Sequence, residues 1–194
     1  MLPDVATDYS VRIVVFKHPD ARHAGCLLGL FNSFPFDYIV RQKLQGLNLS
    51  DYITYQIAVP SEDTILSRAD FIIPRVVELS YTAWDLEPFA KDCGYFGPPF
   101  CWDESRRLLL RCELDAAYFH LYGIARDDVD YIMETFPIVK RNDLKRHGDY
   151  RTKLTILDIY DRMQQVIDTG EPYQTLLDPL PADPRVAHLP RMEA

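Results

Sequence analysis

The sequence has 194 residues, of which 47% are hydrophobic and 26% charged, a composition that is typical of a folded globular protein and unlike a disordered one. The formal net charge of −8 disfavours sequence-independent nucleic-acid binding over the whole surface, although it is compatible with a local basic region. No apolar run approaches the roughly 18–20 residues that a membrane-spanning helix needs, so we expect no membrane insertion.

The first third of the chain has the pattern of a strand, a helical segment and a second strand. Residues 11–16 are mainly β-branched and apolar, which predicts the first strand. Residues 23–44 have helical apolar spacing, with Pro35 in the first turn of a second helical piece. Residues 52–59 alternate between two faces, which predicts a half-buried strand. The pattern predicts an α+β fold that begins with a small strand–helix–strand unit over residues 1–62.

Residues 63–178 are predicted to form a mainly helical region. The spacing of apolar residues predicts three helices in its second half, over about residues 104–122, 127–135 and 151–169. Gly123 and Gly170 are placed to end the first and the last of these helices. The longest apolar stripe falls on the first helix, which we expect to be central to the core.

Three other segments are predicted to interrupt the helices. Residues 69–83 are apolar but contain Pro74, which we expect to break a helix. Residues 92–103 have the glycines and prolines of a loop. Residues 179–194 form a Pro-rich tail, which we expect to be extended or loosely packed.

The four cysteines favour a reducing compartment. They form neither a CxxC pair nor a familiar zinc spacing, so we interpret them as free thiols. A Cys93–Cys101 disulfide across the intervening loop has no support from a secretory context. The first ten residues contain no basic residue, which is unlike a signal peptide, and we expect a cytoplasmic protein.

The sequence lacks the motifs of common cofactor sites. Neither GxGxxG nor GxxxxGK[ST] occurs, and residues 96–100 have paired prolines without the polar residue that amino-methyltransferases place before them. Asp127, Asp128 and Asp130 are close in sequence, but at a predicted helix start they suit the helix dipole better than a metal ion. We expect no cofactor, no metal and no complete catalytic centre in this chain.

A basic region lies within this acidic sequence. Residues 140–162 contain seven Lys and Arg residues and four Asp residues, which gives seven minus four, a local charge of +3. Arg41 and Lys43 lie off the apolar stripe of the helical segment before Gly46, so we expect both to reach solvent or a ligand.

Two stretches of the chain resemble one family of DNA-modifying enzymes. The first covers residues 30–43, Gly46, Asn48 and the run that ends at Val59-Pro60. The second covers residues 113–123, 127–132, 135–138, 148–153, 156–157 and 160–161. Together they resemble the target-recognition and far C-terminal helical regions of restriction–modification adenine-N6 DNA methyltransferases. These are the large type IIG-like enzymes and their relatives in phage-defence systems.

The resemblance implies recognition of DNA without methyl transfer. The similar segments, residues 27–60 and 108–161, comprise 34 and 54 residues, or 88 of 194. The family's cofactor-binding and catalytic motifs do not occur in this sequence. Ala125 is a further departure, because a Ser or Thr there would cap the helix that follows. The implied function is a non-catalytic specificity fragment or subunit that binds double-stranded DNA.

Seven basic side chains are the predicted DNA contacts under this resemblance. Arg41 and Lys43 would approach DNA from the helix before Gly46. The phosphate contacts would come from Lys140, Arg141, Lys145, Arg146 and Arg151. The alternative for each of them is an ordinary solvated surface charge, and Arg151 has the further alternative of an ion pair with Asp149.

Two other functions stay open on the sequence. One is a protein-docking subunit that binds a methyltransferase or another defence protein without touching DNA, which the net charge of −8 favours slightly. The other is a small nuclease, although Asp85, Glu87 and Lys91 resemble a metal-dependent nuclease site only loosely.

Overall fold

The computed structural model describes residues 20–44, 46 and 49–191, which form an all-helical fold. Helices make up 66% of the structure and strands 1%, and the described residues form no sheet. The α-helices of this part of the chain are α1 (Ala21–Phe31), α2 (Phe34–Lys43), α3 (Asp51–Thr54), α4 (Glu62–Leu66), α5 (Ala69–Ser80), α6 (Glu87–Asp92), α7 (Glu104–Leu121), α8 (Arg126–Glu134), α9 (Pro137–His147) and α10 (Arg151–Thr169). None of these helices is long and apolar enough to cross a membrane.

The predicted strand over residues 52–59 is wrong. The segment begins with the helical turn α3, where the Ser50 side chain accepts a hydrogen bond from the N–H of Ile53 at 3.4 Å. Tyr52 and Tyr55 are 77% and 89% exposed, so the apolar alternation does not correspond to a buried sheet face. A strand also needs a neighbouring strand for its backbone hydrogen bonds, and no such strand lies among the described residues.

The predicted α+β class is therefore also wrong, because the described chain is all-α. The other predicted strand, residues 11–16, lies outside the described residues. A strand–helix–strand unit thus has no counterpart in the part of the chain that the structure describes.

Most of the predicted helices are confirmed. Helices α1 and α2 cover the segment predicted from residue 23 to residue 44, and Pro35 lies in the first turn of α2. Helices α7, α8 and α10 match the three helices predicted in the second half within one or two residues. Gly123 and Gly170 follow α7 and α10 with positive φ angles of 67° and 74°, which glycine adopts without steric strain.

Two helices contradict expectations that were based on proline. Helix α5 continues through Pro74, because its apolar residues Ile72, Ile73, Val76 and Val77 are all buried in the core. Helix α9 was not predicted. Pro137 occupies its first turn, where proline is favoured, and the helix has no buried residue and hence no apolar stripe to reveal it.

Helix α7 is central because it contributes to two hydrophobic clusters. Its residues Leu114 and Tyr118 pack with α1 and α5 in the first cluster. Its residues Ala116 and Phe119 pack with α8 and α10 in the second. The approach of α1 depends on Gly29, since a Cβ there would lie 2.7 Å from the Tyr118 hydroxyl.

Two buried ion pairs join α5 to α7. Arg75 of α5 lies 2.7 Å from the carboxylate of Glu113 on α7, and both side chains are buried. In the second pair the charges are exchanged between the helices, since α5 provides the acidic residue, Glu78, and α7 the basic residue, Arg106. Each pair therefore satisfies charges that would be costly to bury alone.

The C-terminal segment docks on these ion pairs. Tyr173, Thr175 and Leu176 donate hydrogen bonds to Glu113 Oε1 at 2.6–3.1 Å. Further along, Arg106 donates to the carbonyl oxygens of Pro179 and Leu180, and the N–H of Ala182 donates to Glu78. The chain beyond residue 179 contains a turn and a short 3-10 helix, Pro184–Val186, so the expectation of an extended or loosely packed tail is wrong at these positions.

Helix α7 provides a direct test of the core. Leu114→Ala is expected to lower the free energy of unfolding by about 2–3 kcal/mol, the lower part of the usual range, because Leu114 borders a cavity of about 440 Å³. Asp127→Ala, in the exposed first turn of α8, is expected to lower it by about 1 kcal/mol or less. Urea unfolding of both variants measures the difference. The reverse order would contradict the packing of α7.

Candidate nucleic-acid interface

Helix α9 carries four of the seven predicted DNA contacts on a helix that is open to solvent. Lys140, Arg141, Lys145 and Arg146 lie on α9, and Arg151 begins α10. The helix has no fully buried residue, and it packs on the second hydrophobic cluster through the partly buried Val139. Even Ile138, an apolar residue of its first turn, is 63% exposed.

Three of the seven predicted contacts are neutralised by ion pairs. Their partners lie 2.6–3.0 Å away: Asp37 for Arg41, Glu134 for Lys140 and Glu104 for Arg146. The other four form no ion pair or hydrogen bond of their side chains within the described residues: Lys43, Arg141, Lys145 and Arg151. The Arg151–Asp149 ion pair that the sequence left open is therefore not formed.

Phe136 joins the two basic segments, which are about a hundred residues apart in sequence. The guanidinium carbon of Arg41 lies 4.7 Å from the centroid of the Phe136 ring. The Phe34 ring also lies 4.7 Å from it, in an edge-on arrangement. Phe136 immediately precedes α9 and accepts the backbone N–H of Lys140 at 3.1 Å. Arg41 of α2 thus lies beside the residue that precedes α9, which the sequence did not indicate.

A cleft of about 600 Å³ lies between α7, α9 and the first turn of α10. Asn142 and Arg146 of α9 line it, whereas Arg141 and Lys145 do not, so α9 has an inner and an outer face. Arg111 of α7 lines the cleft as well. A second cavity of about 440 Å³ adjoins the cleft.

Asp115 lies in the wall between the cleft and the second cavity. Its side chain accepts the N–H of Phe34 at 2.8 Å, at the start of α2, and the residue is only 4% exposed. Burial raises the pKa of Asp115 to about 7, against the opposing effects of the Phe34 N–H and the Arg111 charge. A carboxyl group that changes protonation near neutral pH is unusual, and such groups are concentrated at functional sites.

The sequence contained a signal for Asp115 and Arg111 that our prediction did not use. The two residues are four apart and so lie on the same side of α7, and Asp115 interrupts the otherwise apolar run Leu114–Phe119. A charged residue on a buried face is a candidate for function or for a specific structural bond. Phe136 gave no comparable signal, because an apolar aromatic residue is ordinary in a core.

The other carboxylates of the cleft are already engaged. Asp143 accepts the N–H of Thr152 at 2.6 Å and so caps the first turn of α10. Glu104 forms the ion pair with Arg146. Two cations of the cleft, Arg111 and Arg151, are left without an ion-pair or hydrogen-bond partner among the described residues. The cleft therefore offers two guanidinium groups whose hydrogen-bond donors are free for an anionic ligand.

The aspartates at the start of α8 form no metal site. Asp127 and Asp128 lie in its first turn, where they complement the helix dipole, and Asp130 pairs with Lys153 at 2.8 Å. Across residues 20–44, 46 and 49–191, no group of three or more His, Cys, Asp or Glu residues is placed to hold a metal ion.

Comparisons with protein-family models, with curated proteins and with solved structures find no match for this chain. The function must therefore be inferred from the geometry of α9 and of the cleft, together with the sequence pattern.

Proposed function

We propose that the chain is a non-catalytic DNA-recognition fragment or subunit, and that the outer face of α9 contacts the phosphates of double-stranded DNA. The supporting observation is that Arg141 and Lys145 are exposed and unpaired on a helix that has no fully buried residue. Their spacing of four residues places both side chains on the same side of the helix. Two adjacent cations of this kind suit the regularly spaced phosphates of a duplex.

The net charge of −8 disfavours binding over the whole surface, so the proposal depends on the local charge of +3 over residues 140–162. An acidic remainder would repel the duplex and so favour approach by the basic face. Contacts of this type orient a protein on DNA and do not read its sequence.

Arg41 has a different role in the proposal from the one that its sequence position suggested. Its guanidinium group donates to Asp37 at 2.7 and 3.0 Å and stacks on Phe136. Reading a base would require these contacts to be released. We therefore assign Arg41 to holding α2 against the start of α9, and leave Lys43 as the free cation of that helix.

The narrower part of the proposal is membership of a restriction–modification or phage-defence adenine methyltransferase system, with a methyltransferase subunit as partner. It is supported by the sequence resemblance alone, now without the strand–helix–strand unit. We place the protein in the cytoplasm, in keeping with its four cysteines, which are all free.

Charge reversal on α9 tests DNA binding. The double variant Arg141→Glu/Lys145→Glu is expected to bind mixed-sequence duplexes more weakly and to lower the slope of log affinity against log salt by about 1.8, or 0.9 for each phosphate contact. Fluorescence anisotropy with a labelled 20-base-pair duplex, starting near 50 mM salt, measures both quantities.

The matched control is Lys91→Glu/Arg185→Glu, which has the same net charge but changes α6 and the C-terminal segment instead of α9. It is expected to keep most of the wild-type affinity and the wild-type slope. Equal losses in the two double variants would contradict an interface on α9. The absence of duplex binding by the wild-type chain at low salt would contradict the proposal itself.

A docking subunit is the second candidate, and the exposed residues around α3 favour it. Tyr52, Tyr55 and Val59 project from the surface, and exposed aromatic groups are typical of protein interfaces. If the wild-type chain binds no DNA, Tyr52→Ser/Tyr55→Ser should abolish its complex with a purified methyltransferase encoded beside it. Retention of that complex would argue against docking through α3.

A further inference from the structure

The cleft and the adjoining cavity together have the size and shape of a small-molecule site. Their volumes are about 600 and 440 Å³, and each falls within the usual range of about 300–1,000 Å³ for ligand pockets. Asn32, Arg111 and Asp115 belong to the walls of both, so the two spaces lie side by side along α7. A ligand that reaches past these shared residues would occupy both spaces.

The two spaces differ in chemistry. The cleft has the unpaired guanidinium groups of Arg111 and Arg151, whose planar forks of donors match the oxygens of a phosphate group. The cavity has an aliphatic part of its wall, formed by Leu28, Val76, Leu79 and Leu114, beside polar residues that include Ser33, Ser80 and Arg107. An anionic group fits the first space and a flat, weakly polar group fits the second.

Asp115 supplies a hydrogen-bonding group at the boundary. When ionised, its carboxyl group offers about four acceptor positions, and the structure shows one hydrogen bond to it, from Phe34. It can therefore also take a hydrogen bond from a ligand that passes from the cleft into the cavity. An amino group on a heterocycle is such a donor.

We infer that this cleft binds a nucleoside monophosphate. The phosphate lies between Arg111 and Arg151, and the base lies against the aliphatic part of the cavity wall with a donor group on Asp115. This site goes beyond the proposed DNA contacts, because it uses the inner wall of α9 and not the outer face. The phosphate monoester comes either from a free nucleotide or from the 5′ end of a nucleic-acid strand.

Calorimetric titration of the full chain tests the inference. The probes are the four nucleoside 5′-monophosphates, the corresponding nucleosides and inorganic phosphate. At least one monophosphate is expected to bind at least about tenfold more tightly than its nucleoside and than phosphate. Arg111→Gln and Arg151→Gln are each expected to weaken it at least about tenfold, because each removes a charged hydrogen bond.

Two controls separate this site from folding and from the DNA interface. Thermal unfolding of Arg111→Gln and Arg151→Gln at pH 5, where Asp115 is protonated and does not interact with the Arg111 charge, should match the wild type, since neither side chain forms a hydrogen bond or an ion pair in the described structure. Arg141→Glu/Lys145→Glu should keep nucleotide binding while losing affinity for duplex DNA. Failure of one binding activity therefore leaves the other intact.

The source of the phosphate is tested by competition with short single-stranded oligonucleotides that carry a 5′-phosphate or a 5′-hydroxyl group. Competition by the phosphorylated strand alone identifies strand ends as ligands, and competition by neither identifies the free nucleotide. Equal competition by both strands would overturn the inference, because the cleft would then accept backbone phosphodiesters. It would be overturned equally if no monophosphate bound more tightly than phosphate, or if both arginine variants bound normally.

Discussion

Replacing Glu113 with glutamine is expected to lower the free energy of unfolding by about 3–5 kcal/mol. The carboxylate is fully buried and accepts hydrogen bonds from Arg75, Tyr173, Thr175 and the backbone of Leu176. Glutamine removes the negative charge and places an amide donor among these donors. The Arg75 guanidinium would then be a buried charge without a counter-ion, which is the main reason for the large effect.

Urea unfolding followed by circular dichroism measures this loss. Glu104→Gln is the matched control, because it removes the same charge from an exposed ion pair with Arg146 and is expected to change the free energy of unfolding by about 1 kcal/mol or less. Similar effects of the two substitutions would mean that the Glu113 network is not a stabilising centre of the fold.

Replacing Asp115 with asparagine is expected to change how stability depends on pH. The pKa of Asp115 is raised to about 7 in the folded chain, mainly by burial, and is about 4 in an unfolded chain. Between these values, the folded state holds a proton that the unfolded state has released. The stabilising contribution of Asp115 to the free energy of unfolding is therefore fully present below pH 4 and is lost as the pH rises to about 7.

Asparagine can still accept the N–H of Phe34 but does not ionise. As the pH rises from 4 to 7, the wild type is expected to lose roughly 4 kcal/mol of stability that Asp115→Asn does not lose. Above pH 7 the difference in free energy of unfolding between the two proteins is expected to stay constant. Urea unfolding at intervals of pH measures it. For Leu114→Ala, a neighbour without a titrating group, the corresponding difference should not vary with pH. A flat difference for Asp115→Asn would mean that this carboxyl group is ionised throughout.

The helices that the sequence predicted well are those that carry their own start and stop signals. Helix α7 begins after Asp103, whose side chain accepts the N–H of Arg106, and is followed by Gly123. Helix α10 ends at Gly170 and has an apolar stripe along its length. Such features act within a few residues of the helix, so they can be read without knowing the fold.

The failures arose where tertiary contacts, or their absence, decide the structure. The alternation over residues 52–59 suggested a sheet, but no partner strand is present among the described residues, and the chain forms the turn α3 instead. Helix α9 has no apolar stripe because it packs on the core only at its start, through the partly buried Val139. Pro74 was given too much weight, since burial of its neighbours keeps α5 intact.

The candidate site was predictable only in its composition. The concentration of basic residues from Lys140 to Arg151 was visible in the sequence, but their ion pairs were not. Which of them are free depends on carboxylates brought from elsewhere, such as Glu104, which lies 42 positions before Arg146. The convergence of Arg111, Asp115 and Arg151 likewise depends on the packing of α7 against α10, which no local pattern specifies.

The docking of the C-terminal segment on the two ion pairs has a consequence for the order of folding. The pairs themselves join residues 28 and 38 positions apart, whereas the bonds from the segment to Glu113 and Glu78 span 60–104 positions. Contacts with shorter loops form at a smaller entropic cost, so we expect α5 and α7 to associate first and the segment to close over them last. In the native state the same segment should open first, and its amide hydrogens should exchange with solvent sooner than those of α7.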